Sequence, residues 1–226
     1  MLTPAELPSG VVHGAAFSTI NIDVPAYLPY IYSKFLSAGG TALRATLPPL
    51  HSPAFAAFSD PSLPLPSLSH ALAVFNCTGL GSRAFTPDPS MFPVRGQVVL
   101  VRAPWVTTGI TAVTKDQHVG INYRGYIIPR NQTDIIVGGT AVPDDWDPEP
   151  REEVTRLILE KGLAMCPELI APEKRDRASV DDIEVIEVGV GLRPARKGGI
   201  RLDVERMGEG GSRVLVVHNY GRKSTL

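Results

Sequence analysis

The stretch Val190-Gly-Leu-Arg-Pro-Ala-Arg-Lys-Gly-Gly199 places an arginine at the end of an apolar run, residues 183–192, that is typical of a strand. Such a strand would carry the guanidinium of Arg193 into the body of a domain. A buried arginine needs a partner, because buried charges are usually paired. One candidate is a ligand carboxylate, which matches the planar guanidinium with two parallel hydrogen bonds. The other is a structural ion pair with a nearby acid, and the spacing leaves both open: Asp181, Asp182, Glu184 or Glu187.

The length and the net charge of the chain limit the classes of protein to which it can belong. A chain of 226 residues can bury a sizeable core as one large or two small domains. Its formal net charge of −1 provides no field to attract nucleic acid or an anionic membrane, and no apolar run reaches the length of a membrane span. Two cysteines are too few for a disulfide framework. These features predict a soluble protein of a reducing compartment that binds a small molecule, with no nucleic-acid or membrane partner and no metal.

The first ninety residues combine one helix with one buried strand. Apolar residues recur at helical spacing after Asp23 until Gly39-Gly40, although Pro29 argues for a later start of the helix. Proline-rich residues 48–69 predict a surface loop. The continuous apolar run at residues 71–76 is typical of a strand buried on both faces in a parallel sheet.

A glycine pattern directly after this strand imitates a dinucleotide-binding turn. Gly79, Gly81 and Ala84 have the right spacing, but the fingerprint requires a helix next. The following Thr86-Pro-Asp-Pro-Ser-Met-Phe-Pro93 contains three prolines, so no helix N-terminus is expected there to hold a pyrophosphate. We therefore do not interpret it as the primary phosphate site.

The rest of the chain is typical of an antiparallel sheet with one helix. Residues 96–102, 126–129 and 134–139 alternate or are β-branched, and Asn131-Gln-Thr133 predicts a hairpin turn. Acids near Pro150 begin a helix that continues to Pro167. Further strands are predicted at residues 183–192, 200–204 and 214–217.

The motif Gly191-Leu-Arg-Pro-Ala-Arg196 resembles the signature of the D-amino-acid oxidases, flavoenzymes that oxidise D-amino acids to imino acids. Five other segments resemble that family in the same order along the chain: Val74-Phe-Asn-Cys-Thr-Gly-Leu-Gly81, Pro93-Val-Arg-Gly-Gln-Val-Val-Leu-Val101, Tyr126-Ile-Ile-Pro129, Val137-Gly-Gly-Thr140 and Val217-His-Asn-Tyr-Gly221. The resemblance implies FAD as the cofactor, because no protein side chain can accept a hydride from an amino acid.

The resemblance also implies roles for individual residues. Arg193 would bind the substrate carboxylate, with Tyr126 supporting it and Tyr123 as a less regular match. The cofactor would lie near Thr78, Gly79, Leu47 and Gly221, with Leu47 on the adenine side. No catalytic acid or base is implied if the hydrogen leaves as hydride, so His218 is interpreted as a hydrogen-bonded strand histidine. On sequence alone Tyr126 also fits an ordinary aromatic at the start of a strand.

The expected fold is α/β (α+β), with a partial FAD-binding layer beside a mixed, largely antiparallel substrate-binding sheet. We expect the partial layer at residues 1–90, the sheet domain at 91–205 and a return strand at 206–226. The chain resembles only the second part of a D-amino-acid oxidase, without the N-terminal glycine-rich turn and without the glycine-rich continuation after Gly221. We therefore expect weak oxidase activity or none from this chain alone, and the alternative is a non-catalytic remnant domain that cannot hold flavin.

Two expectations concern the surroundings of the protein. The resemblance implies a D-amino acid as the small-molecule partner and is compatible with a homodimer, while a sibling oxidase for glycine or acidic D-amino acids shares the same arginine. It also implies a peroxisomal location, with a cytoplasmic one as the alternative, because the C-terminal Ser-Thr-Leu is not a clear peroxisomal signal.

Overall fold

A computed structural model of the chain describes residues 1–3, 5, 7, 11–56, 58, 71–112, 117–118, 121–177, 179–207 and 214–223. Most of the loop predicted at residues 48–69, and the C-terminal residues 224–226, lie outside these ranges. The helices are α1 (Val24–Ser37), α2 (Pro53–Ala56), α3 (Ser82–Phe85) and α4 (Glu152–Met165). The strands are β1 (Ala73–Asn76), β2 (Met91–Arg102), β3 (Ile110–Ala112), β4 (Gln117–His118), β5 (Ile121–Pro129), β6 (Asp134–Thr140), β7 (Val142–Pro143), β8 (Val185–Arg196), β9 (Arg201–Met207), β10 (Val214–Tyr220) and β11 (Arg222–Lys223). The mixture of helices with largely antiparallel sheets confirms the expected fold class.

The chain divides into two compact units that alternate along the sequence. Unit 1 comprises Met1–Pro29, Gly96–Ala141 and Glu149–Gly191. Unit 2 comprises Tyr30–Arg95, Val142–Pro148 and Leu192–Leu226. Both β2 and β8 therefore begin in one unit and end in the other, whereas the sequence suggested three consecutive segments.

Unit 1 is a sheet covered by one helix. Its strands follow the order β8-β2-β6-β5-β3, and β6 pairs antiparallel with both β2 and β5. Asn131 makes the predicted hairpin turn, since its side-chain oxygen accepts hydrogen bonds from the main-chain amides of Thr133 and Asp134 at 2.7 Å each. Helix α4 buries Val154, Ile158, Leu159 and Gly162, which belong to one apolar cluster with the sheet or pack into it. This cluster is the larger core of the protein.

Unit 2 contains a three-stranded sheet in the order β1-β10-β9. Strand β1 runs parallel to β10, and β9 runs antiparallel to it. Residues 201–205, which the sequence grouped with the larger sheet, thus lie beside β10. The reason is the turn at Gly198 and Gly199, whose φ angles of 85° and 95° reverse the chain after β8.

The two faces of this small sheet differ. One face packs Val216 against Leu50, Phe55 and Phe85. The other carries the row Phe75, Val217 and Val204, joined by cross-strand register, and there Phe75 is 69% and Val204 is 61% exposed. Strand β1 therefore lacks the burial on both faces that its apolar run is typical of, because no described element covers the Phe75 side.

Helix α1 shows how proline position matters. It begins at Val24 and contains Pro29, so the expectation of a later start was wrong. Pro29 lies in the second turn, where the missing N–H removes only one main-chain hydrogen bond near the end of the helix. Among the described residues, no helix is both long and apolar enough to cross a lipid bilayer.

Candidate functional site

The turn after β1 is fixed by its own side chains. The Oδ1 atom of Asn76 accepts hydrogen bonds from the main-chain amide of Thr78 at 3.2 Å and from its hydroxyl at 2.8 Å. Gly79 has a φ of 57°, which side chains rarely adopt, and a Cβ there would lie 3.5 Å from Pro194. Gly79 therefore packs against Pro194, the residue that follows Arg193, so the two predicted site residues Gly79 and Arg193 belong to neighbouring segments of unit 2.

A cavity of about 240 Å³ opens beside this turn. Its walls are largely apolar, with Asn76 and Thr78 as the polar exceptions: Leu43, Ala45, Leu47, Phe55, Phe58, Val74, Phe75, Asn76, Thr78 and Phe85. Both Leu47 and Thr78, which the family resemblance places near the cofactor, line it. Ligand pockets for drug-sized molecules measure roughly 300–1,000 Å³, so this cavity fits one ring system of a dinucleotide and not the whole of FAD.

The glycine pattern at residues 79–84 does not form a phosphate cradle. As the prolines predict, no helix forms over residues 86–93, and the helix α3, which overlaps the pattern, has only four residues and ends before Pro87. A macrodipole needs several turns of aligned peptides, so this segment offers little attraction to a pyrophosphate.

The end of β8 is held by close packing. Gly221 has a φ of 75°, and a Cβ there would lie 2.7 Å from Cβ of Arg196. Arg193, which is half-buried, precedes this segment on the same strand. Three of the four acids considered as its ion-pair partners bind other cations, since Asp181 pairs with Arg156, Asp182 with Lys174 and Glu184 with Arg102.

The two tyrosines lie in unit 1 and face different surroundings. Tyr123 is part of the core cluster, and its hydroxyl has no hydrogen-bond partner among the described residues. Burial raises the pKa of Tyr123 to about 12, with a smaller contribution from the neighbouring Tyr126. The ring of Tyr126 lies over Gly138, where a Cβ would come within 2.0 Å of it. The substrate roles of both tyrosines stay predictions.

A buried carboxylate that the sequence did not single out connects several strands. Asp88 accepts hydrogen bonds from Nε of Arg196 at 2.8 Å, from the hydroxyl of Tyr220 at 3.0 Å and from the amide of Ser90 at 3.0 Å. Burial alone would raise the pKa of Asp88, but these hydrogen bonds outweigh it and hold that pKa below its ordinary value. Asp88 lies between Pro87 and Pro89, and from the sequence this segment is interpreted only as one that excludes a helix. The second arginine of the motif, Arg196, was the available signal that an acid must pair with it.

His218 is fully buried opposite Asn76. These two residues are in register on the parallel strands β1 and β10, and Nδ2 of Asn76 lies 3.2 Å from Nδ1 of His218. On the other side of the ring, Nε2 lies 3.2 Å from a carboxylate oxygen of Glu205, without the alignment of a hydrogen bond. His218 is therefore bonded at Nδ1, as expected of a strand histidine. Within the described residues no cluster of side chains can hold a metal ion.

Comparison with known proteins yields consistent matches. The model of a family described as FAD dependent oxidoreductase (DAO) matches residues 2–224. The chain is 34% identical to D-aspartate oxidase of Cryptococcus neoformans var. grubii, covering 98% of this chain and 62% of the relative. It is 34% identical to D-amino-acid oxidase of Schizosaccharomyces pombe, with 97% and 57% covered, and 35% identical to human D-aspartate oxidase, with 99% and 56% covered. Thus the chain spans about half to three fifths of the length of these relatives.

Among solved structures, the chain is similar to glycine oxidase from Bacillus cereus. The TM-score is 0.48 at 19% identity, and the match covers 67% of this chain and 37% of that one.

Proposed function

The chain belongs to the family of FAD-dependent oxidoreductases, and on this premise we propose that it serves the oxidation of D-amino acids to imino acids with release of hydrogen peroxide. The observation that supports this most is the cavity beside Thr78. It is lined by two residues that the family resemblance places near the cofactor, Thr78 and Leu47. We propose that these residues, with Gly79 and Gly221 as close-packing positions, hold one part of FAD.

The reaction sets what the protein must supply. The α-carbon loses a hydride, the amine loses a proton and a C=N double bond forms, while dioxygen is reduced to hydrogen peroxide. Bound FAD supplies the hydride acceptor. The resulting imino acid hydrolyses to a 2-oxo acid. No residue of this chain is assigned as an acid or base, because the hydrogen leaves the carbon as hydride.

The chain's own contribution is to bind and orient the substrate. We propose that Arg193 binds the substrate carboxylate through its guanidinium, whose two parallel N–H groups fix the orientation of the carboxylate plane. Tyr126 is proposed to add a hydrogen bond from its hydroxyl. Correct orientation lowers a barrier by as much as roughly 7–11 kcal/mol in the best cases.

The test is hydrogen peroxide release with FAD in excess. D-alanine and D-aspartate are compared as substrates, with L-alanine as the matched control. Peroxide released from a D-amino acid above the L-alanine control supports the proposal, and because only weak activity is expected of this chain alone, the rate should fall well below the roughly 1 per second of ordinary enzymes. Arg193→Lys should then raise KM about 10- to 100-fold, because it replaces a bidentate charged pair by a point charge. No peroxide from any D-amino acid, in protein that binds FAD, would refute it.

One observation favours a second function, a folded domain that binds carboxylates or a protein partner without flavin. The Phe75 face of the unit 2 sheet, close in sequence to Thr78, is apolar and exposed. Exposed apolar patches of this kind are typical of interaction sites. The colour of the protein separates the two functions, since protein with bound flavin is yellow. A homodimer and a peroxisomal or cytoplasmic location are further parts of the proposal, and chromatography and cell fractionation test them.

A further inference from the structure

The state of the Thr78 hydroxyl follows from its hydrogen bonds. Oδ1 of Asn76 is an acceptor only, so the hydroxyl proton of Thr78 is donated to it, at 2.8 Å. The hydroxyl of Ser82 lies 2.7 Å from the same Thr78 oxygen, and because the Thr78 proton is already committed, Ser82 must be the donor. The Thr78 hydroxyl therefore has no proton left to donate to a ligand. It offers one remaining acceptor site.

The orientation of the Asn76 amide is fixed by a second residue. Because Oδ1 faces the two donors of Thr78, Nδ2 must face the other way, toward Nδ1 of His218 at 3.2 Å. An amide nitrogen can only donate, so Nδ1 of His218 is unprotonated. The neutral ring then carries its proton on Nε2, which faces Glu205 at 3.2 Å. A carboxylate on that side favours the same tautomer.

The surroundings keep this arrangement in place. Asn76 and His218 are 1% and 0% exposed, so water cannot replace either partner. The carboxylate of Glu205 also lies 3.3 Å from Nε2 of His51. A continuous chain of contacts thus runs from His51 through Glu205, His218 and Asn76 to Thr78, which lines the cavity.

We propose that Asn76 and His218 are a positioning pair that holds the Thr78 hydroxyl as a hydrogen-bond acceptor at the cavity wall. The cavity then prefers a ligand group that donates a hydrogen bond, such as an amino or hydroxyl group, over a phosphate. Asn76 also lines the cavity, but its amide oxygen and nitrogen are engaged by Thr78 and His218, so the pair acts through Thr78. The choice of FAD as the ligand rests on the proposed function, but the pair itself does not. Phosphate oxygens are acceptors at neutral pH and would be repelled by the remaining lone pair of Thr78.

The first experiment measures the positioning pair without any cofactor. Amide hydrogen exchange at Thr78 is compared in wild type and two matched variants. In His218→Asn the side-chain oxygen replaces Nδ1 as acceptor, whereas in His218→Gln the amide lies at the position of Nε2. We expect exchange at Thr78 about tenfold faster in His218→Gln, and close to wild type in His218→Asn, because one hydrogen bond is lost only in the former. Equal rates of amide exchange at Thr78 in all three proteins would refute the proposal that Asn76 and His218 position this residue.

A spectroscopic measurement covers the case in which a variant fails to fold. Nitrogen-15 chemical shifts of the His218 ring in wild-type protein report which nitrogen carries the proton. A proton on Nε2 supports the proposal that Nδ1 of His218 accepts a hydrogen bond from Asn76, and a proton on Nδ1 refutes it.

The second experiment tests the selection at the cavity. Adenosine, riboflavin and inorganic pyrophosphate are added separately to the full chain, and the amide signal of Thr78 is followed. We expect a shift with adenosine or riboflavin and none with pyrophosphate, and loss of that shift in Thr78→Val but not in Thr78→Ser. A shift with pyrophosphate, or none with any of the three, overturns the selection. Failure of peroxide release with these results intact would count against the proposed function and not against the pair.

Discussion

Replacing Asp88 by alanine should lower the stability of the protein by about 3 kcal/mol, the low end of the cost of breaking a buried ion pair. The carboxylate is 6% exposed and accepts three hydrogen bonds, from Arg196, Tyr220 and Ser90. The low end applies because the guanidinium of Arg196 is 24% exposed and can be partly hydrated after the change. For a chain of this size the loss corresponds to a fall in melting temperature of roughly 6–12 °C.

The pH dependence of this contribution has a definite sign. The pKa of Asp88 in the folded protein is below its ordinary value of 3.8, so its stabilising contribution is fully present above that value and is lost as the pH falls through the folded pKa. The stability difference between wild type and Asp88→Asn should therefore be constant near neutral pH and shrink as the pH falls below 3.8, the ordinary pKa of the carboxyl.

Thermal unfolding followed by circular dichroism measures both effects. Asp181→Ala is the matched control, because its side chain is 77% exposed and its pair with Arg156, at 3.6 Å, contributes little. Two results would contradict the reasoning. One is an Asp88→Ala protein as stable as the control, and the other is a wild-type advantage over Asp88→Asn that persists in acid.

Three further predictions use other parts of the structure. Tyr123→Phe should leave stability unchanged or raise it by about 1–3 kcal/mol, because it removes a buried hydroxyl without a partner among the described residues. Denaturant unfolding measures this change in stability. A loss of D-amino-acid binding in the variant would instead support a substrate role for Tyr123. Gly162→Ala should destabilise the protein by about 1–3 kcal/mol, because its Cβ would lie 2.5 Å from Val137 in the core, whereas Gly191→Ala, with open space around it, should have little effect. The double change Phe75→Thr and Val204→Thr should reduce binding of a hydrophobic dye without altering the far-ultraviolet circular dichroism spectrum, and unchanged dye fluorescence would show that the exposed face does not bind it.

Local patterns predicted most of the elements, because the signal for each lies within a few residues. The turn at Asn131 and the helix α4 follow from turn chemistry and helical spacing, and both are present. The start of α1 at Val24 was missed because the cost of Pro29 depends on how near the helix end it lies. Sequence pattern could not place β9 beside β10, since strand pairing is decided by long-range contacts.

The polar side chains of the site were likewise only partly predictable from the sequence. Arg193 and Thr78 were found from motifs, but the partners that fix the site come from distant positions. Asn76 and His218 are separated by 142 residues, and Asp88 and Arg196 by 108. Nothing in the sequence around one member of such a pair identifies the other.

The alternation of the two units along the chain has a practical consequence for dissecting the protein. Because each unit is assembled from three separate stretches, no single cut in the polypeptide releases either of them whole. A gene truncated anywhere within residues 30–191, or a protease nick there followed by separation of the pieces, divides both units at once. Expression of a lone unit would require three segments joined by two new linkers, so shortening this chain from either terminus is a poor route to a smaller folded protein.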